Sequence, residues 1–195
     1  DLDSYDPTGA GRKIDSFVDD LSNWYVRRSR RRFWKSENDQ DKLSAYHTLY
    51  SSLVALSKLI APFTPFLAEE MYRNLVCSID ASAPESVHLS NFPQADEFLI
   101  DAVINDKTQL AMKISSLGRA ARSKAGIKVR QPLAVVKVLV KDVEERDALD
   151  SLFSQVGEEL NVKGIEFVRS KGDLVGHQIS ANMPLLGPKY GKEMS

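Results

Sequence analysis

Large apolar residues recur at three- and four-residue steps through most of residues 10–121, and from Leu133 onward that period gives way to short Val-rich runs. A helix presents the same face about every 3.6 residues and a strand about every second residue. The change of period therefore predicts helices first and a mixture of strand and helix afterwards. Ile14, Phe17, Val18, Leu21, Trp24 and Tyr25 define a helix over residues 10–34, approached through the loop Asp6-Pro7-Thr8-Gly9-Ala10-Gly11. Continued at the same steps, the stripe reaches Arg28 and Arg32, which predicts that the end of this helix leaves the core as a charged prong. Asp39 or Asp41 can cap a second helix with Leu43, Tyr46, Tyr50, Leu53, Ser57 and Ile60 on its buried face, widened by Leu49 and Leu56. Pro62 ends it. Thr64 as N-cap and Pro65 at the first helical position open a third helix with Leu67, Met71 and Leu75 on one face.

Residues 77–94 hold Pro84 and Pro93 and no helical period, which predicts a long loop lying across the helices, with residues 86–89 extended. Leu99, Val103, Leu110, Ile114, Leu117 and Ala121 form a seam for a fourth helix over residues 96–124, and Gly126 suits its C′ position. Residues 133–140 read as a strand, 142–156 as an amphipathic helix, 161–168 as a second strand and 174–180 as a third. The predicted fold is mainly α. An antiparallel helix bundle over residues 1–125 is followed by a small α+β module over residues 126–195, cut short within that module.

Composition narrows the function. Of the 195 residues, 43% are hydrophobic and 27% charged, the mix of a folded globular chain. No apolar run approaches the roughly 20 residues that span a bilayer. No signal segment opens the chain, and the single cysteine, Cys77, excludes an internal disulfide or a Cys-based metal site, so a cytoplasmic protein is expected. The chain starts at Asp1 rather than Met, as a piece of a longer protein would. A net charge of −1 hides segregation. Arg27, Arg28, Arg30, Arg31, Arg32 and Lys35 form one block without an acid, and Lys107, Lys113, Arg119, Arg122, Lys124, Lys128 and Arg130 form another. Acids gather at residues 1–20 and 142–159. Such a chain can present a positive face while staying near neutral overall.

The sequence assembles no active site. His47 reads as a packed helix residue, and His88 and His177 lack a nucleophile or carboxylate that spacing ties to them. Glu69-Glu70 reads as a helix-dipole pair and Glu158-Glu159 as a solvated surface pair. Gly9-Ala10-Gly11 has no strand before it, as a nucleotide fingerprint requires. No metal-ligand spacing is present. The segment from Trp24 to Lys35 is different: Arg27, Arg30, Arg31 and Trp34 share one helical face, and Arg28 and Arg32 the next. Guanidinium groups bridge phosphates and an indole can carry an unpaired base, so this cluster, extended by Arg119, Arg122, Lys124, Lys128 and Arg130, points to RNA. The competing readings are an unrelated polyanion-binding helical module, and a structural helical adaptor whose arginines pair with acids on neighbouring helices.

Asp6-Pro7-Thr8-Gly9-Ala10-Gly11-Arg12, followed by Leu21-Ser22-Asn23-Trp24-Tyr25-Val26-Arg27-Arg28-Ser29-Arg30-Arg31-Arg32-Phe33-Trp34, resembles the opening helix of the anticodon-binding domain of isoleucyl-tRNA synthetases. Ala61-Pro62-Phe63-Thr64-Pro65-Phe66 is similar to a break shared across the class I bundles. Gly118-Arg119-Ala120-Ala121-Arg122, Lys128-Val129-Arg130-Gln131-Pro132-Leu133, Glu159-Leu160-Asn161-Val162-Lys163 and Leu186-Gly187-Pro188-Lys189-Tyr190-Gly191 resemble the module that follows. The resemblance spans nearly the whole chain and lies closer to the zinc-free, eukaryote-like branch. It implies a tRNA-binding portion of an ATP-dependent ligase, with tRNA(Ile) and the enzyme's own catalytic domain as partners and neither DNA nor membrane among them. ATP and Mg would serve the full-length enzyme. This chain would carry no cofactor and, without catalytic and editing domains, would be inactive alone.

Overall fold

The computed structural model describes residues 2–34, 37, 39–170 and 172. The chain is mainly helical with a two-stranded parallel sheet, and it divides into two compact units, Asp1–Leu99 and Ile100–Ser195. The predicted boundary between residues 125 and 126 falls inside the second unit, because the long helix before it packs against helices that follow it in the chain.

In the first unit α1 (Pro7–Asp20) runs through a π-helical segment (Leu21–Val26) into α2 (Arg27–Phe33) with helical backbone angles throughout. It starts earlier than the apolar period suggests. Pro7 occupies the first turn, and the Asp6 carboxylate accepts the Gly9 N–H at 2.8 Å. A Cβ on Gly9 would overlap that carboxylate, so Gly9-Ala10-Gly11 belongs to a helix cap rather than a phosphate loop. Helix α3 (Gln40–Ile60) is capped by Asp39, which accepts the Lys42 N–H at 2.8 Å. Thr64 and Pro65 open α4 (Pro65–Tyr72) as predicted, and α4 continues through a second π-helical segment (Arg73–Cys77).

The buried faces sit about one residue away from the expected stripes. Ala45, Leu56 and Ser57 are buried on α3, whereas Leu43, Tyr46 and Tyr50 are exposed and Leu53 is half-buried. On α4 the buried pair is Ala68 and Tyr72, while Leu67 is exposed. Small residues let neighbouring backbones approach, and the period alone does not choose between a small-residue face and the large-residue face beside it. Val87 joins Ala68 and Tyr72 in this core, with Ile60, Ala61, Val76 and Cys77 packed around them. The loop bearing Val87 thus lies over the helices as expected. Residues 87–89 form a 3-10 turn rather than an extended segment, because Ser86 caps it through the His88 N–H.

In the second unit α5 (Ala102–Lys124) begins at Asp101, whose carboxylate accepts the Ile104 N–H at 3.0 Å. The preceding residues 97–99 form a separate 3-10 turn, so the helix is shorter than predicted. It ends at Gly126 with φ of 68°, where the Ile127 N–H reaches the Arg122 carbonyl at 2.9 Å and the Gly126 N–H reaches Ser123 at 3.1 Å. That closure requires a left-handed residue, which glycine supplies at little cost. Strand β1 (Leu133–Leu139) leads through α6 (Val143–Ser151) and α7 (Phe153–Leu160) to β2 (Val162–Val168). β1 and β2 are parallel, in register from Leu133↔Val162 to Leu139↔Val168, and the helix pair supplies the crossover that parallel strands need. The single helix predicted for residues 142–156 is two, broken at Leu152 (φ −108°, ψ 11°). Ala111, Ser115 and Arg122 form the buried face of α5, with Val103 and Leu117 of the predicted seam exposed. Gly118 lies on the same face, against Leu160 of α7. The strand predicted for residues 174–180 lies outside the described residues.

Candidate nucleic-acid interface

Helix α2 stays docked along its length, which corrects the expected prong. The Tyr25 hydroxyl donates to the Ala45 carbonyl at 2.9 Å, and the Tyr46 hydroxyl donates to the Phe33 carbonyl at 3.3 Å. The Phe33 ring lies 5.1 Å from that of Tyr46 and 6.4 Å from that of Tyr25, and Ser29 is buried between these anchors. Aromatic packing therefore holds the inner side of the helix on α3.

The arginines divide by azimuth. Arg32 turns towards α3, where Nε meets Asp41 Oδ1 at 2.9 Å and Nη2 donates to the Asp41 carbonyl at 3.1 Å. Arg28 stacks on Trp24, its Cζ 5.1 Å from the ring centroid. Arg27, Arg30 and Arg31 are exposed on the opposite side, and Trp34, at the C-cap, is 79% exposed. Among the described residues the side chains of Arg30 and Arg31 carry no hydrogen-bond or ion-pair partner. Lys35 lies outside the described residues. The face shared by Arg27, Arg30, Arg31 and Trp34 in the helical period is thus an outward one.

The second basic run is divided differently. Arg122 is 5% exposed: its Nε donates to the Leu160 carbonyl at 3.0 Å, Nη1 to Lys128 at 3.2 Å, and Nη2 to Gln131 at 2.8 Å and Asn161 at 3.2 Å. One planar fork satisfies the carbonyls that α7 and the α5–β1 connection leave over. Arg119 Nη1 pairs with Glu159 Oε2 at 2.8 Å, and Glu159 is itself 7% exposed. The expected surface loses both residues to the interior. Glu158-Glu159, expected as a solvated pair, instead contributes a buried ion-pair partner. Lys124, Lys128 and Arg130 are exposed.

Sequence reasoning also missed Asn161 and Glu69. Asn161 adopts left-handed angles (φ 49°, ψ 55°), and its amide donates to the Val129 and Arg130 carbonyls at 3.0 Å each, fixing the backbone that bears the last basic residues. The turn chemistry of Asn is the signal that could have found it. Glu69, read as a helix-dipole residue, accepts the Ser86 hydroxyl at 2.8 Å and the Val87 N–H at 3.0 Å, with Arg73 at 3.5 Å. The Ser86 hydrogen bond, aided by the Val87 N–H and Arg73 against partial burial, holds its carboxyl below the usual range. His47 and His88 are both exposed, and His177 lies outside the described residues. Among the described residues no group of three or more His, Cys, Asp or Glu converges on a metal-sized site, and no helix is long and apolar enough to cross a membrane.

A helical chain with an arginine–tryptophan face fits a class of RNA-contacting domains, and sequence comparison specifies it. The profile for the anticodon-binding domain of tRNA ligase matches residues 1–138, and the chain belongs to that family. It is similar to the isoleucine–tRNA ligase of Dehalococcoides mccartyi strain CBDB1, at 65% identity over 164 residues, which cover 84% of this chain and 16% of the relative. It is 45% identical over 192 residues to that of Thermus thermophilus, and 48% identical over 192 residues to that of Clostridium acetobutylicum. Each of these two matches covers 98% of this chain and 18% of the relative. The chain thus spans less than a fifth of the length of the curated relatives it matches.

Proposed function

We propose that this chain is the tRNA-binding, anticodon-recognition portion of an isoleucine–tRNA ligase, which positions tRNA(Ile) for ATP-dependent aminoacylation by a catalytic domain elsewhere in the enzyme. The family match and the relatives' names support the assignment, and the single structural observation behind it is the outward face of Arg27, Arg30, Arg31 and Trp34 on a helix anchored from its other side. Exposed guanidinium groups attract the phosphate backbone, and binding of that kind weakens steeply with salt. Lys124, Lys128 and Arg130 supply a second set of proposed contacts, from the second unit. Arg28, Arg32, Arg119 and Arg122 hold the scaffold.

In this reading the partners are tRNA(Ile) and the enzyme's own catalytic domain, in the cytoplasm, with neither DNA nor membrane involved. ATP and Mg belong to that catalytic domain, so the chain alone forms no isoleucyl-adenylate. The finer architecture we propose is the antiparallel bundle of the class I anticodon-binding domains. The test is a binding measurement of the chain against purified tRNAs of different anticodons at two salt concentrations. Salt-sensitive binding that favours tRNA(Ile) is expected. Equal affinity for all tRNAs would reduce the chain to a general polyanion binder, and pyrophosphate exchange with isoleucine above background would overturn the assignment of catalysis to another domain.

A further inference from the structure

We propose that Trp34 is a stacking platform for one unpaired RNA base, with Arg30 and Arg31 holding the phosphates of that same strand, so that the outward face of α2 selects single-stranded over paired RNA. The inference rests on the tRNA-binding reading and goes beyond it by assigning the two chemistries to different side chains.

Of the aromatic residues along this helix, Tyr25 and Phe33 face inward and bond or stack against α3. Trp24 is half-buried, and a face of its ring is occupied by the Arg28 guanidinium at 5.1 Å. Trp34 is the exception, at 79% exposure. Among the described residues, no ring or guanidinium stacks on it. Arg30 and Arg31 stand one helical turn before it, so their guanidinium groups and the indole lie on one side within about 6 Å of axial rise.

The helix dipole orders the two contacts. The C-terminal carbonyls of α2 repel a phosphate, which places the charged backbone beside Arg30 and Arg31 and leaves the neutral base for the tip. A duplex offers its phosphates to arginine but keeps its base faces stacked inside. Only an unpaired base can present a face to an indole. The platform discriminates by strandedness while the arginines supply affinity that is blind to sequence.

The experiment uses the whole chain with two RNA probes, a stem–loop with an unpaired loop and a fully paired duplex of equal length. The chain has two tryptophans, so a Trp34→Phe variant leaves Trp24 as the only indole reporter. The stem–loop is expected to quench indole fluorescence in the wild type, the duplex to bind without that quenching, and the Trp34→Phe variant to lose the response. Trp34→Ala should weaken stem–loop binding about 5- to 150-fold and leave duplex binding unchanged. The paired substitution Arg30→Gln and Arg31→Gln should weaken both probes alike. Stem–loop binding untouched by Trp34→Ala, or equal losses for both probes, overturns the platform while leaving tRNA binding standing. Failure of the wild type to bind either RNA overturns both.

Discussion

Two arginine-rich helix ends in this chain have similar composition and opposite surroundings. At α2, the inward positions are filled by Tyr25, Ser29 and Phe33, and the arginines are left to the flank and the outside. At the end of α5, the inward face itself carries an arginine, because the carbonyls of Leu160, Lys128, Gln131 and Asn161 converge on it with no other donor of that reach. A basic residue becomes surface or scaffold according to what the opposite element offers, and a count of positive charges cannot tell the two apart.

The largest test of that contrast is Arg122→Ala, which removes a buried donor from four carbonyls and is expected to cost about 3–5 kcal/mol in the unfolding of the second unit. Arg122→Lys should recover little of it, since a point charge cannot replace the fork. Denaturant unfolding, followed together with amide exchange at residues 127–133 and 160–163, measures both. A loss below about 1 kcal/mol would mean the arginine is dispensable scaffold and collapse the comparison.

Next comes the packing that lets Arg122 reach its partners. Gly118 abuts Leu160, and a Cβ there would stand 2.6 Å from Leu160 Cδ2, whose side chain is only 1% exposed and has nowhere to retreat. Gly118→Ala gains roughly 1 kcal/mol of helix propensity. The clash outweighs it, for an expected net loss of about 1–3 kcal/mol by thermal or denaturant unfolding.

Glu69 sharpens the comparison from the acidic side, as a half-exposed carboxylate held by a hydroxyl, an N–H and an arginine. Its folded pKa lies below the ordinary 4.5, so its contribution is fully present above that value and is lost as pH falls through the lowered one. Acid should therefore release residues 86–90 from α4, and Glu69→Gln should produce the same release at neutral pH, read by amide exchange at Val87. Equal protection of Val87 in both proteins at every pH would sink the idea.

The smallest effect on stability belongs to the outward arginines. Arg30→Gln with Arg31→Gln should shift unfolding by less than about 0.5 kcal/mol. The same substitutions should lower the slope of log affinity against log salt for RNA by about 1 for each phosphate left without its arginine. A large stability loss with unchanged RNA affinity would make α2 scaffold like α5.

Much of this molecule was legible in its amino acids, because the signals are local. Asp39, Thr64 with Pro65, and Gly126 mark helix ends through the hydrogen bonds and backbone angles of their own neighbourhood, and Val-rich runs mark both strands. The family was legible for the same reason, from contiguous motifs matched over residues 1–138. What the period could not choose was the buried side of each helix. Val103 and Leu117 are larger and more apolar than Ala111, Ser115 and Gly118, yet the small face is the one α5 turns to α7. Nor could it sort the arginines. Arg119 meets Glu159 across 40 residues of chain and Arg122 meets Leu160 across 38, so their withdrawal from the surface depends on contacts that exist only once α5, α7 and the β1–β2 crossover have packed. Local chemistry fixes where helices and strands start and stop, whereas burial of a charge needs partners that only the assembled chain brings within reach.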